Sequence, residues 1–568
     1  MINKVELGSV EKKNIPHKSA DKTNFTGLGK LALKGIQLCE KKPMINVAVL
    51  DLSTAIIPRT ILETFIGSKQ KDENGNETNE RKLNVLAGFE AFRREFSGLF
   101  INCLIPSFIV IGVAKILNKC GVMGDFKASN LTSSWANSDT IDSVHKFYKS
   151  AEGLSKEDRV FNTLKNMFDN IEGVDGDIKN GGLKKFSEIF ANDSEYETQL
   201  RNMTSSILSD KPKKGFAHDM YTYLVKKSGI AENIRFSGDT KFFSSSLSHL
   251  CESAGDILHG ASKEGILQNY AQDIDEKALK DALNAEVEQL SKYFSKAKKL
   301  VNFKSIGGLG LIIPLAISAQ PINRWITHKM AGKKGAPIYN DDKERILNPE
   351  EKKKLTAEKF FAVPLMWGVA ALSMLMDRPS MKMFQFKNIF PTMDQARIIS
   401  AATFSSRIAA SEDTNELKEN TIRDIATFSS FYFLGDYAAK GIATFIENHN
   451  KDGIKLINRL KKSDADANII DKFWTWAKHT KMKSTDELSH IADEALQTKA
   501  KNMRALCQAG NLIFSLVSLG IFIPLYTRTQ TNKKKQQEQE KILAERSQSI
   551  PFTRNFQTKS PAFEKFFS

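Results

Sequence analysis

The chain has 568 residues, too many for one compact core, with 41% hydrophobic and 26% charged residues. These fractions exclude collagen-like, largely disordered and disulfide-scaffold classes. Against 82 Lys+Arg stand 66 Asp+Glu, a net charge of +16 that favours acidic partners such as nucleic acid or anionic lipid.

Residues 1–43 are polar and lysine-rich, with no apolar run and no A-x-A site near the start, so no cleavable signal peptide is expected. We read 1–97 as a polar to amphipathic cytoplasmic region in which 72–80 (DENGNETNE) is a solvated loop. The distribution of uncharged stretches then sets the organisation. The run SGLFINCLIPSFIVIGV, interrupted by Asn102 and Pro106, predicts a first membrane span over 98–117.

Residues 118–304 are expected to form a helical extramembrane domain. Lys156 to Phe168 places Val160, Phe161, Leu164, Met167 and Phe168 on one stripe, and Glu276 to Leu300 does the same with Leu279, Leu283, Val287, Leu290 and Phe294. Asp169 to Gly182, rich in Gly, Asn and Asp, reads as a loop. A second span is expected over 305–323 and a third over 360–376. The connector between them, 324–359, carries ten basic residues (Arg324, Lys329, Lys333, Lys334, Lys343, Arg345, Lys352, Lys353, Lys354, Lys359) and is assigned to the cytoplasm.

Residues 377–504 are read as a second helical extramembrane domain. Within it, 425–445 contains Asp436 and Lys440 and is left out of the membrane. Trp474 and Trp476 stand among lysines, which suits either a membrane interface or packing on a neighbouring helix. The 23 residues from Ala505 to Thr527 carry no charge and make the fourth span, 505–527; at 1.5 Å per residue they cross about 30 Å of hydrocarbon. The tail 528–568, with nine basic residues, is expected to be disordered and cytoplasmic. Both termini then lie inside.

Ser295 to Leu300 followed by LGLIIPL at 309–315 resembles Thr498 to Met503 followed by LGIFIPL at 519–525, a weak internal duplication. Its matching Gly310/Pro314 and Gly520/Pro524 are candidate broken-helix positions. Asn102, Gln508 and Asn511 are candidate polar residues within spans.

Chemistry-bearing motifs are missing. There is no GxxxxGK[ST], no HExxH among nine histidines, no GxSxG, and no CxxC among Cys39, Cys103, Cys120, Cys251 and Cys507. The incomplete calcium-loop patterns at Asn448–Gly453 and Asp175–Asn180 lack the required glutamate or glycine and read as turns. A Cys120–Cys251 disulfide is possible but unforced. No catalytic, cofactor or metal residues are assigned, and no nucleic acid is expected.

The reading is all-α: a multi-pass helical membrane protein with two helical extramembrane domains. Its role is expected to be that of a structural or interaction scaffold of the cell envelope, leaning away from an enzyme. It would contact anionic lipid head groups through the basic connectors, and an unknown protein partner. The alternatives are a transporter or channel-like protein built on the Gly/Pro positions, and a soluble all-α interaction protein with buried apolar helices.

Overall fold

A computed structural model of the chain describes residues 43–65, 85–119, 136–175, 182–239, 246–331, 347–376, 384–386, 391–460 and 468–523, with short pieces within 34–39, 69–83, 242–243 and 525–529. Helices dominate, as the sequence predicts. In chain order they are α1 (43–65), α2 (85–119), α3 (Ser138–Lys149), α4 (Lys156–Asp169), α5 (Phe186–Ile189), α6 (Ser194–Leu208), α7 (Phe216–Ser228), α8 (Leu247–Lys263), α9 (Glu276–Ala331), α10 (Pro349–Met376), α11 (Met393–Ala409), α12 (414–449), α13 (Ile469–His479) and α14 (Glu494–Phe522). Three small antiparallel sheets accompany them: β1 (Lys69–Lys71) with β2 (Glu77–Arg81); β3 (Ile171–Asp175) between β4 (Gly182–Lys185) and β5 (Ile234–Phe236); and β6 (Ile457–Arg459) with β7 (Thr480–Met482).

Residues 136–301 share one hydrophobic core, to which α4 contributes Val160, Leu164, Met167 and Phe168 and the first half of α9 contributes Leu290 and Phe294. The α4 stripe is the one the spacing predicts, and Ser155 caps the helix by accepting from the Asp158 N–H. The expected loop at 169–182 is corrected in part. Residues 171–175 form the central strand β3, because Ile171 and Val174 are buried and both edges find partners. Beneath this core Arg159 and Glu286 form a buried ion pair at 2.9 Å, and the Tyr270 hydroxyl donates to the same carboxylate at 2.9 Å. No polar group in that cluster is left to water, which is what makes so deep a charge pair tolerable.

The described residues of 450–493 dock on this core rather than standing apart. The Tyr221 hydroxyl donates to Asp486 at 3.0 Å, and the His490 Nδ1 lies 3.0 Å from the Lys226 carbonyl oxygen. Gly229, at φ +71°, is obliged to be glycine twice over, since a Cβ there would also press on the His490 ring at 3.1 Å. The described residues of 136–275 and 450–493 thus make one unit, called the body below.

The second half of α9 joins α1, α2, α10, α11, α12 and α14 in a helical bundle. Residue contacts fix the directions. Arg59 meets Glu95, and Thr64 lies against Gly88, so α1 and α2 are antiparallel. Arg93 meets Asn323 while Val113 meets Gly307, so α2 and α9 are antiparallel. Arg407 pairs with Asp424 and Ser400 with Tyr432, which makes α11 and α12 antiparallel, and Gly435 packs on Asn511 where α12 meets α14. Glu358, early in α10, meets Lys418, early in α12, and Gln497, early in α14, donates to the Ser489 carbonyl of the segment docked on the core. The seven helices thus alternate in direction, and the body sits at the end where α2 finishes and the bundle half of α9 begins.

Five of the seven are long and apolar enough to cross a membrane: Met44–Phe65, Val85–Leu117, Glu276–Met330, Pro349–Leu375 and Glu494–Phe522. Four contain the uncharged runs read from the sequence, and α1 is additional. The other two, α11 and α12, are polar; every residue from Gln395 to Ile408 in α11 is buried. Helix α9 extends to Ala331 and α10 starts at Pro349, so Arg324, Lys329, Lys352, Lys353, Lys354 and Lys359 of the basic connector lie on helices.

The outer face of the bundle is apolar. On α2 alone Phe89, Phe92, Phe96, Phe100, Leu104 and Phe108 follow at helical spacing and are all exposed, Phe108 by 70%. The same holds for Leu311 and Ile317 on α9, Phe360 and Leu372 on α10, and Ile513 and Phe522 on α14. From 136 to 301, by contrast, Leu183 is the one large apolar side chain that is exposed among the described residues.

Candidate functional site: a charged cluster inside the bundle

Where the outside of the bundle is apolar, the inside holds charge. Glu95 on α2 receives the Arg59 guanidinium from α1 at 2.7 Å and the Arg407 guanidinium from α11 at 2.6 Å. Arg407 reaches across to Asp424 on α12, with Nε at 2.9 Å and Nη2 at 2.8 Å. Arg423 lies 3.3 Å from the same carboxylate and donates to Asn420 Oδ1 at 2.7 Å. A second set lies one to two turns toward the bundle end remote from the body. Arg93 donates to Asn323 Oδ1 at 2.9 Å and to Thr327 at 2.5 Å, and Arg324 pairs with Glu416. Five helices are tied together by these largely buried ion pairs.

The cluster borders a larger and a smaller cleft that share Arg94, Gln320 and Arg407. The larger is lined by Asp51, Arg59, Glu95, Asn102, Thr403 and Arg423 among others. The smaller is lined by Glu90, Asn323, Arg324 and Glu416. Arg94 is only 7% exposed, and its Nε has no hydrogen-bond partner among the described residues; the same is true of Glu90 Oε2, one turn earlier on α2. Two such atoms facing a cleft require water or a polar guest, since a dry orphan would cost about 1–3 kcal/mol.

Four segments of the bundle are π-helical: Asp51–Ile56, Phe100–Leu104, Ser430–Leu434 and Leu516–Phe522. Three of them contribute to the larger cleft through Asp51 and Ala55, Asn102, and Leu519. A proline stands two residues beyond each of these three in the sequence, at Pro58, Pro106 and Pro524. A proline lacks the N–H and crowds the carbonyl four residues back, and a widened turn relieves both. The fourth segment is followed by Gly435 instead.

The candidate residues read from the sequence divide accordingly. Asn102 is buried at the cleft and accepts from the Thr403 hydroxyl at 3.0 Å. Asn511 is buried but faces Gly435, where it accepts from Ser515 at 3.3 Å. Gln508 is half-buried and accepts from Arg504 at 3.4 Å, away from the cleft. Helix α9 runs unbroken through Gly310 and Pro314, and Gly310 has open space beside it. Gly520 lies in a π-helical turn, where a Cβ would stand 2.9 Å from the Thr54 carbonyl oxygen. Pro524 lies outside the described residues, as do Cys120 and the basic tail. The two halves of the weak duplication thus differ in local structure, and nothing here supports a repeat. Cys251 is buried and free.

The cluster itself was not read from the sequence. A signal existed: Glu90 and Arg94 fall one turn apart on the face opposite Phe89, Phe92 and Phe96, which is the pattern of a helix with a polar inner side. No group of three His, Cys, Asp or Glu side chains able to hold a metal occurs among the described residues. No family model, curated protein or solved structure matches the chain.

Proposed function

We propose that the protein is a multi-pass integral membrane protein whose seven alternating helices cross the bilayer and hold the helical body on one face, as a scaffold of the cell envelope. The observation that carries this reading is the contrast between the two surfaces. Exposed Phe, Leu and Ile cover the bundle, a single such residue is exposed among the described residues of 136–301, and the charges are turned inward. Water would penalise that arrangement and hydrocarbon rewards it. A soluble protein with buried apolar helices would show the reverse.

Seven crossings differ from the four expected from uncharged runs. Helix α11, buried from Gln395 to Ile408, needs no apolar outer face, α12 turns Ile422, Leu434 and Phe445 outward, and intramembrane charges that pair with one another are tolerated. On this reading the segment before α1 and the body share one face, and the end of α14 reaches the other. The basic stretch between α9 and α10 lies opposite the body, where anionic head groups of the cytoplasmic leaflet would hold it. The body is the surface that meets a partner.

Alkaline carbonate washing of membranes from cells expressing the full chain tests the membrane claim. Retention in the pellet and release by detergent alone are expected; protein in the wash would refute it. A second reading, passage of protons or a small ion through the cleft, is favoured by the unmatched Arg94 and Glu90 atoms and by the converging π-helical turns. Its test is flux into vesicles holding the purified protein. Flux lost in Arg94→Gln would favour it, and a passive wild type would eliminate it.

A further inference from the structure

We infer that α13 is an interfacial helix lying along the bilayer surface on the body's side, with Ile469, Ile470, Phe473 and Trp474 among the lipid head groups and upper acyl chains. The inference rests on the membrane reading above.

None of the eleven residues of α13 is buried. Ile469 is 86% exposed, Ile470 67%, and Phe473 and Trp474 about half. These four fall on one face, while Asp471, Lys472 and Thr475 occupy the opposite one. An isolated eleven-residue helix would not hold such a face toward water.

The helix is nevertheless firmly mounted. The Trp476 indole N–H donates to the Thr444 hydroxyl of α12 at 3.0 Å. The Lys440 ammonium donates to the carbonyls of Ala477, Trp476 and Thr480 at 2.9, 3.3 and 3.2 Å, closing the C-terminus of α13 with a positive charge where the helix dipole is negative. The same ammonium lies 4.8 Å from the Tyr437 ring and 4.6 Å from the Trp476 ring.

These contacts fix α13 to Tyr437, Lys440 and Thr444 of α12, toward the body-side end of that helix, where Phe445 of α12 is itself exposed. The apolar face of α13 therefore stands at the level of the body-side end of the bundle. Its tryptophan, phenylalanine and lysines are the residue types that concentrate at head-group depth. At the far end of α9, Trp325 is also exposed, with the Lys329 ammonium 5.4 Å from its ring, which marks the opposite boundary.

The test uses the full chain in vesicles of phosphatidylcholine and phosphatidylglycerol whose acyl chains are brominated either close to the head group or near the bilayer centre. Emission of wild type is compared with Trp474→Phe and Trp325→Phe, so that each tryptophan's contribution is obtained by difference. Trp474 is expected to be quenched roughly twofold more by shallow bromine than by deep bromine, and Trp325 likewise. Quenching of Trp325 but not of Trp474 would overturn the interfacial helix while leaving the membrane reading intact. In that case quenching of Trp474 by iodide would mean that it faces water, and its protection from iodide would mean that a second copy or another protein covers it. Quenching of neither by bromine would overturn the membrane reading as well.

Discussion

Arg407 is the position where the ion-pair cluster can be tested most sharply. Replacing it with methionine keeps most of the side-chain volume but removes contacts to two carboxylates on two helices, Glu95 at 2.6 Å and Asp424 at 2.8–2.9 Å. Glu95 retains Arg59, and Asp424 retains Arg423 at the longer distance of 3.3 Å. Removing one partner of a buried charge pair costs about 3–5 kcal/mol, and the surviving arginines should keep Arg407→Met near the lower end, about 3 kcal/mol. Arg59→Met removes one contact and leaves Glu95 doubly held by Arg407, so about 1–2 kcal/mol is expected. Unfolding in detergent, followed by tryptophan fluorescence across a denaturant series, measures both. If Arg407→Met unfolded at the wild-type midpoint, or if Arg59→Met were the more damaging, the cluster would not be what ties α1, α2, α11 and α12 together.

Leu311→Arg, at an exposed apolar site in the bundle half of α9, should, if that half lies in the bilayer as proposed, cost about 2.5–3.5 kcal/mol of insertion and lower the membrane-bound yield. A soluble bundle would tolerate it within about 0.5 kcal/mol. Gly435→Ala would place a Cβ 2.2 Å from Asn511 Oδ1 and 2.8 Å from the Ser430 carbonyl oxygen, and should destabilise by roughly 1–3 kcal/mol through α12–α14 overpacking. Gly441→Ala, with nothing within 4 Å, should be neutral or slightly stabilising in the same unfolding assay. In the body, burial first and Glu232 second push the Glu487 carboxyl up from 4.5 to about 7. A raised carboxyl binds its proton more tightly in the folded state, so its contribution is full below about pH 4.5 and is lost as pH rises toward 7. Proteolysis between 450 and 493 should therefore quicken from pH 5 to pH 7.5, and the trend should flatten in Glu487→Gln.

The helical class, the amphipathic stripes of α4 and α9, and four apolar helices were legible in the sequence because each depends on one local pattern. The misses share a physical cause. An uncharged window finds only segments that need lipid on most sides, so α2 was cut at residue 98, after Glu90, Arg93, Arg94 and Glu95, although its aromatic face begins near Val85. The same window passed over α11, whose Arg397, Arg407 and hydroxyl residues are matched by partners on α2, α9 and α12. Those partners lie up to about three hundred positions away in the chain, as Thr403 and Asn102 do, and no local spacing records them. Strand β3 was hidden for a related reason, since its edges are satisfied by β4 and β5 rather than by its own short run of Ile171 and Val174. Asn102 alone among the proposed polar residues reached the cleft. It was chosen for being polar in an apolar run, and that criterion did not distinguish it from Gln508.

The central claim, that α11 and α12 cross the bilayer with the other five, separates two turns that are close in sequence. In a chain freed of its native cysteines, Ala409→Cys at the end of α11 and Lys451→Cys after α12 are each exposed single sites. Labelling them in sealed vesicles with a membrane-impermeant maleimide should modify one site from outside and the other only after detergent. Labelling of both from the same side of an intact membrane would contradict the seven-helix arrangement.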